Sequence, residues 1–174
     1  MTPDSVGPLS RPFAVDRLPQ HGADVVVEAK PDECAALARD FGLPSIRLLE
    51  GRFHLSGKPT RVRVAGLITA EITQICVVTL DPFDSRLEEE IDLEFEVPQG
   101  RDDEGEDPER QADLDRPDEI IGGQIDLGAV VAEFLALGLD PHPRKPGAEF
   151  TGASAPETKP DSPFAALEAL KRLS

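Results

Sequence analysis

The sequence predicts an α+β fold: a mainly antiparallel β-sheet, open or barrel-like, with two packed helices and a tethered C-terminal helix. Three observations predict it. Residues 60–97 hold two long β-type runs joined by a turn, rich in valine, isoleucine and threonine, which suit a pleated, half-buried surface. Residues 31–41 and 127–139 carry apolar side chains at three- and four-residue spacing, the mark of helices with a buried face. A third such stripe, at 162–173, follows a low-complexity stretch rich in proline.

Within the central pair, the first run spans 60–80 and the turn falls at 81–85. The second run ends in strict alternation: Ile91, Leu93, Phe95 and Val97 on one side, Asp92, Glu94 and Glu96 on the other. Period two places the apolar set on a buried face and the carboxylates in water. Gly66 is expected to mark a bulge or bend that splits the first run into two strands.

The remaining elements follow in order. Residues 1–8 are polar and contain proline and glycine, a disordered N-terminus. Residues 9–18 give a candidate edge strand punctuated by Pro12, and 23–29 a short strand around Val25, Val26 and Val27. In the 31–41 helix, Asp32 and Glu33 lie in the first turn, where acids suit the dipole, and Cys34, Leu37, Ala38 and Phe41 share a face. Gly42 caps it and Pro44 prevents continuation. Residues 45–55 return to strand character, with His54 on the solvent side.

After Val97 the composition changes. Residues 99–117 are almost free of apolar side chains and read as a disordered acidic insertion into a single domain at 9–140; the fixed acid steps of a calcium loop are absent. A short strand is expected at 118–121. Asp126 then caps the 127–139 helix, which is apolar around most of its circumference and so expected to be buried. Residues 141–161 read as a flexible tail. In 162–173, Ser162 caps, Pro163 takes the first helical position, and Phe164, Leu167, Leu170 and Leu173 form the stripe. Lys171 and Arg172 sit in the last turn, where positive charge is favoured. This helix packs either on its own domain or in a partner's groove.

Charge and composition bound the function. The 174 residues carry 34 acidic and 18 basic side chains, a formal net charge of -16. Such a chain repels phosphates and favours cationic partners. It has no tryptophan and no tyrosine, which removes the usual platforms for base stacking. Two cysteines, Cys34 and Cys76, give neither a disulfide framework nor a metal tetrad. No apolar run has transmembrane length and no signal pattern opens the chain, so a cytoplasmic protein is expected.

The sequence offers little for catalysis. Cys76 lies between Ile75 and Val77, so burial is expected rather than an activated nucleophile. Glu88, Glu89 and Glu90 read as a solvated strand face, not an acid/base pair. Lys58, Arg61 and Arg63 make a small basic strip that neighbouring acids are expected to neutralise. No phosphate loop, nucleophile elbow or metal-binding helix motif occurs. The expectation is a non-enzymatic protein without cofactor.

Three separated features resemble the YceD family, bacterial and plastid proteins linked to accumulation of large-subunit ribosomal RNA. They are Cys76-Val-Val-Thr79 followed by Pro82-Phe83; Asp126-Leu127 opening an apolar helix that closes near His142-Pro143; and Ser162-Pro163-Phe164 running to Leu170-Lys171. The resemblance spans residues 9–173. It departs at Thr79, where the family commonly has the second cysteine of a Cys-x-x-Cys, and this chain has no further cysteines after His142-Pro143. A structural zinc needs about four N or S ligands, and His21, His54 and His142 are dispersed, so no metal is expected. The resemblance implies a ribosome biogenesis factor acting through a ribosomal protein or large-subunit assembly factor, with an indirect link to ribosomal RNA and none to membranes. Genes of the family often lie beside one for a large-subunit ribosomal protein. Phe164, Leu167, Leu170 and Lys171 are then the candidate partner-binding residues, and Cys76, Pro82, Phe83, Asp126 and Leu127 are structural motif positions. The alternatives are an RNA-binding module with a locally basic sheet face and an enzyme using Cys76.

Overall fold

The computed structural model describes residues 7–98 and 117–149. Expectations for 1–6, for 99–116 and for 150–174, the C-terminal stripe included, lie outside the described residues. The elements run β1 (Pro12–Ala14), a single 3-10 turn (Val15–Arg17), β2 (Ala23–Glu28), α1 (Pro31–Asp40), β3 (Ser45–Lys58), β4 (Arg61–Ile75), β5 (Pro82–Glu96), β6 (Asp118–Glu119), β7 (Gln124–Asp126) and α2 (Leu127–Gly138).

The architecture is α+β. Five strands form one sheet in the order β2-β3-β4-β5-β6, antiparallel except for the β5–β6 pair, and β1 pairs with β7 in a separate two-stranded sheet. The five-stranded sheet is open, with β2 and β6 at its edges; it does not close into a barrel. Both helices lie against one face. Their apolar stripes meet Leu49, Phe53 and Leu55 of β3 and Val62, Val64, Ile68, Ala70 and Ile72 of β4 in one buried cluster. Gly51 lies in this layer because a Cβ there would stand 2.7 Å from both Phe53 and Val131 of α2.

Four expectations are corrected. Gly66 does not split the first run. The β3–β4 register continues unbroken from Lys58↔Arg61 to Leu48↔Glu71, and β4 is one strand. The glycine serves close backbone approach instead: a Cβ at 66 would lie 2.1 Å from the Arg52 carbonyl oxygen. The register shift of this pair falls between Ile46 and Leu48. The turn after β4 occupies 76–81 rather than 81–85. It closes with Cys76 N–H donating to the Asp81 carbonyl at 2.9 Å and Leu80 N–H donating to the Cys76 carbonyl at 2.9 Å. Pro82 opens β5, a strand position that tolerates its missing donor.

The 9–18 strand is shorter than expected. Only Pro12–Ala14 forms a strand, and it pairs with β7 rather than with an edge of the main sheet. Val15 turns inward on the 3-10 turn. Helix α2 buries Leu127, Val130, Val131 and Leu135, yet Leu137 is 71% exposed. The sheet covers one side of this helix, so apolar residues beyond that side face water.

Candidate functional site

The strands that hold the core also build an uncovered surface. In β4, Val62, Val64, Ile68, Ala70 and Ile72 point to the helices, so Arg61, Arg63, Ala65, Leu67, Thr69, Glu71 and Thr73 point away. The register carries this alternation to β5, whose outward positions are Pro82, Asp84, Arg86, Glu88, Glu90, Asp92, Glu94 and Glu96. All but Pro82 and Arg86 are carboxylates. Cross-strand rows run Val26–Arg52–Leu67–Glu90 and Glu28–Glu50–Thr69–Glu88. Exposed Leu48 and Leu67 give this face an apolar centre, beside a shallow hollow of about 440 Å³ edged by Glu50, Glu71 and Glu88.

The arginines of the face have carboxylate neighbours. Arg63 grips Asp92 with two bonds, 2.7 Å and 2.6 Å, the bidentate geometry of the guanidinium fork. Arg61 bonds Glu94, Arg52 bonds Glu50, and Arg86 reaches Glu88 at 2.6 Å. Arg47 lies 3.5 Å from Glu71 and 3.4 Å from Asp84. His54 is exposed, and its Nδ1 lies 2.7 Å from Asp24 on β2, a partner that 30 residues of sequence separation hid. The strip formed by Arg61 and Arg63 is therefore balanced by Glu94 and Asp92, and the face carries a net negative charge.

Cys76 is fully buried, at the first position after β4 rather than on the strand. Its thiol is held down to about 7, first by the Thr79 hydroxyl and then by the Lys145 amide, with the Val78 and Thr79 amides adding to them against burial. Val77 N–H donates to the Pro143 carbonyl at 2.9 Å, so the turn and the chain beyond α2 meet here. The sequence reading missed this environment, because three of the donors are backbone amides, which carry no side-chain signal, and one of those comes from residue 145. The other thiol behaves oppositely: burial, then Glu33 and Asp32, push Cys34 up. Among the described residues, no three His, Cys, Asp or Glu side chains gather closely enough to hold a metal ion.

Asp126 and Leu127 anchor the fold. Asp126 Oδ1 accepts from Gly128 N–H at 2.9 Å and Ala129 N–H at 3.2 Å, which caps α2. It also accepts from Arg11 N–H at 2.7 Å, while Oδ2 accepts from Ser10 Oγ at 2.6 Å. Burial opposes the charge, yet these bonds keep the carboxyl below its ordinary range. Leu127 is buried, and its N–H donates to the Arg11 carbonyl. The Arg11 guanidinium holds Glu33 of α1 at 2.7 Å and 2.9 Å and, with the Lys30 amide, lowers that carboxyl to about 2. Pro82 and Phe83 open β5 opposite Ile75 and Gln74. Phe164, Leu167, Leu170 and Lys171 lie outside the described residues.

A family model described as large ribosomal RNA subunit accumulation protein YceD matches residues 64–171. Comparison with curated proteins and with solved structures found no match. No helix among the described residues is long and apolar enough to cross a membrane.

Proposed function

The chain belongs to the YceD family, which ties it to accumulation of large-subunit ribosomal RNA, and from that premise we propose that it acts in the cytoplasm without catalysis, as a holder of a cationic protein. The partner is a basic ribosomal protein or a large-subunit assembly factor, and the link to RNA is indirect. The observation that carries this reading is the outer row of β5, with carboxylates at Asp84, Glu88, Glu90, Asp92, Glu94 and Glu96 on a face that neither helix covers. A row of fixed negative charge around an apolar centre speeds encounter with lysine- and arginine-rich surfaces and rejects phosphates.

The test is capture of purified large-subunit ribosomal proteins by the tagged full chain, with the Glu88→Lys/Glu90→Lys variant beside it. Capture that falls at least tenfold in the variant, with thermal stability unchanged, supports the reading. Equal capture by both, or tight binding of protein-free ribosomal RNA with a steep salt slope, overturns it. Direct RNA contact through this face gains no support from its arginines, which have carboxylate neighbours.

A further inference from the structure

A second surface lies at the opposite end of β4 from the β3–β4 hairpin. The C-terminal end of α1, the 76–81 turn and the chain after α2 enclose a groove of about 470 Å³, lined by Phe41, Leu43, Ile75, Val77, Leu80 and Leu139 among others. Its apolar side chains are unusually open to water: Leu80 is 74% exposed, Val77 46% and Ile75 41%. Leu80 is also the one non-glycine residue at positive φ among the described residues, at 61°. A left-handed conformation costs a branched side chain energy, and here it holds a leucine out at the groove rim.

We propose that residues 162–173 fold back on their own chain and seat Phe164, Leu167 and Leu170 in this groove. The described chain already runs along it. Pro141 and Pro143 line one wall, Val77 N–H bonds the Pro143 carbonyl, and the last described residue is Glu149. Residues 150–161 then separate Glu149 from Ser162, and twelve residues reach up to about 40 Å, enough to return to any part of the rim. Tethering of this length makes docking intramolecular, at an effective concentration in the millimolar range. The stripe at three-residue spacing is the pattern of a helix laid in an apolar groove. Charge agrees: Lys171 and Arg172 end the segment, and Asp140 lines the groove. This inference goes beyond the proposed function and does not depend on it.

The chain has no tryptophan, so Phe164→Trp in the full chain supplies a single fluorophore. Docking predicts blue-shifted emission, several-fold slower quenching by acrylamide than in the isolated 162–174 peptide, and no dependence on protein concentration. Adding Leu80→Asp should return the emission to that of the peptide while circular dichroism and thermal stability hold, since aspartate tolerates positive φ. As a readout that does not require the larger ring to fit, amide exchange at 75–80 and 139–145 should accelerate in Leu167→Asp/Leu170→Asp. Emission like the free peptide together with unchanged exchange overturns the proposal and leaves the groove for another protein. Emission that blue-shifts only as the chain dimerises overturns it in favour of a second copy.

Discussion

The two faces of the sheet are made by the same strands, residue by alternate residue, and they use opposite chemistry. Val62, Val64, Ile68 and Ala70 are buried beneath the helices, while Arg61, Arg63, Leu67 and Thr69 face outward from the same strand. The inner face is packed, so each methylene there contributes to stability. The outer face is mainly ion pairs in water, where solvent and salt screen each pair and little stability is gained. A surface so weakly coupled to folding is free to be shaped by what it binds.

The contrast can be broken by substitution. The largest effect is expected inside: Ile68→Ala should cost about 2–5 kcal/mol in urea unfolding, through lost burial and a cavity. Next comes Asp126→Ala, which removes the α2 cap and strands the Ser10 hydroxyl and the Arg11 amide. A loss of about 2–3 kcal/mol is expected, more than a cap alone contributes.

Glu33 supplies a pH signature. Its folded pKa of about 2 lies below the ordinary 4.5, so its contribution is present above pH 4.5 and is lost as pH falls from there toward 2. Glu33→Gln should lower stability at pH 7 by about 1–2 kcal/mol and flatten the acid limb of the stability profile. Thr79→Val should raise the Cys76 thiol above its present value of about 7, read from thiolate absorbance, with a smaller stability change. The smallest effect belongs outside: Arg63→Ala should leave the urea midpoint almost unchanged, because its pair with Asp92 stands in water. If Arg63→Ala costs as much as Ile68→Ala, the division between a structural and an available face fails.

What could be read from the sequence follows the range of the interactions. The β5 alternation, α1 with its glycine after the C-cap, and the Asp126 cap are local patterns, and all three stand in the structure. Gly66 was misread because a glycine within a strand signals either a bulge or a close backbone approach, and only the Arg52 carbonyl across the ladder decides between them. The second use of Asp126 was hidden for a related reason: Ser10 and Arg11 are 116 and 115 residues away in the chain. At the candidate site, the row of acids was visible as a solvated face. That neither of the two described helices lies over it depends on how the layers stack, which no single strand encodes.

The parallel pairing of β6 with β5 has one more consequence. Phe95 stands beside Asp118 and Glu96 beside Glu119, so the chain leaves the sheet edge after Glu96 and rejoins it at Asp118 at neighbouring points. Closing such a loop carries a cost that grows only with the logarithm of its length, about 0.6 kcal/mol per doubling. Variants with half or twice as many residues there should fold almost as well, making this the natural place to graft an added peptide or affinity tag without disturbing the strands on either side.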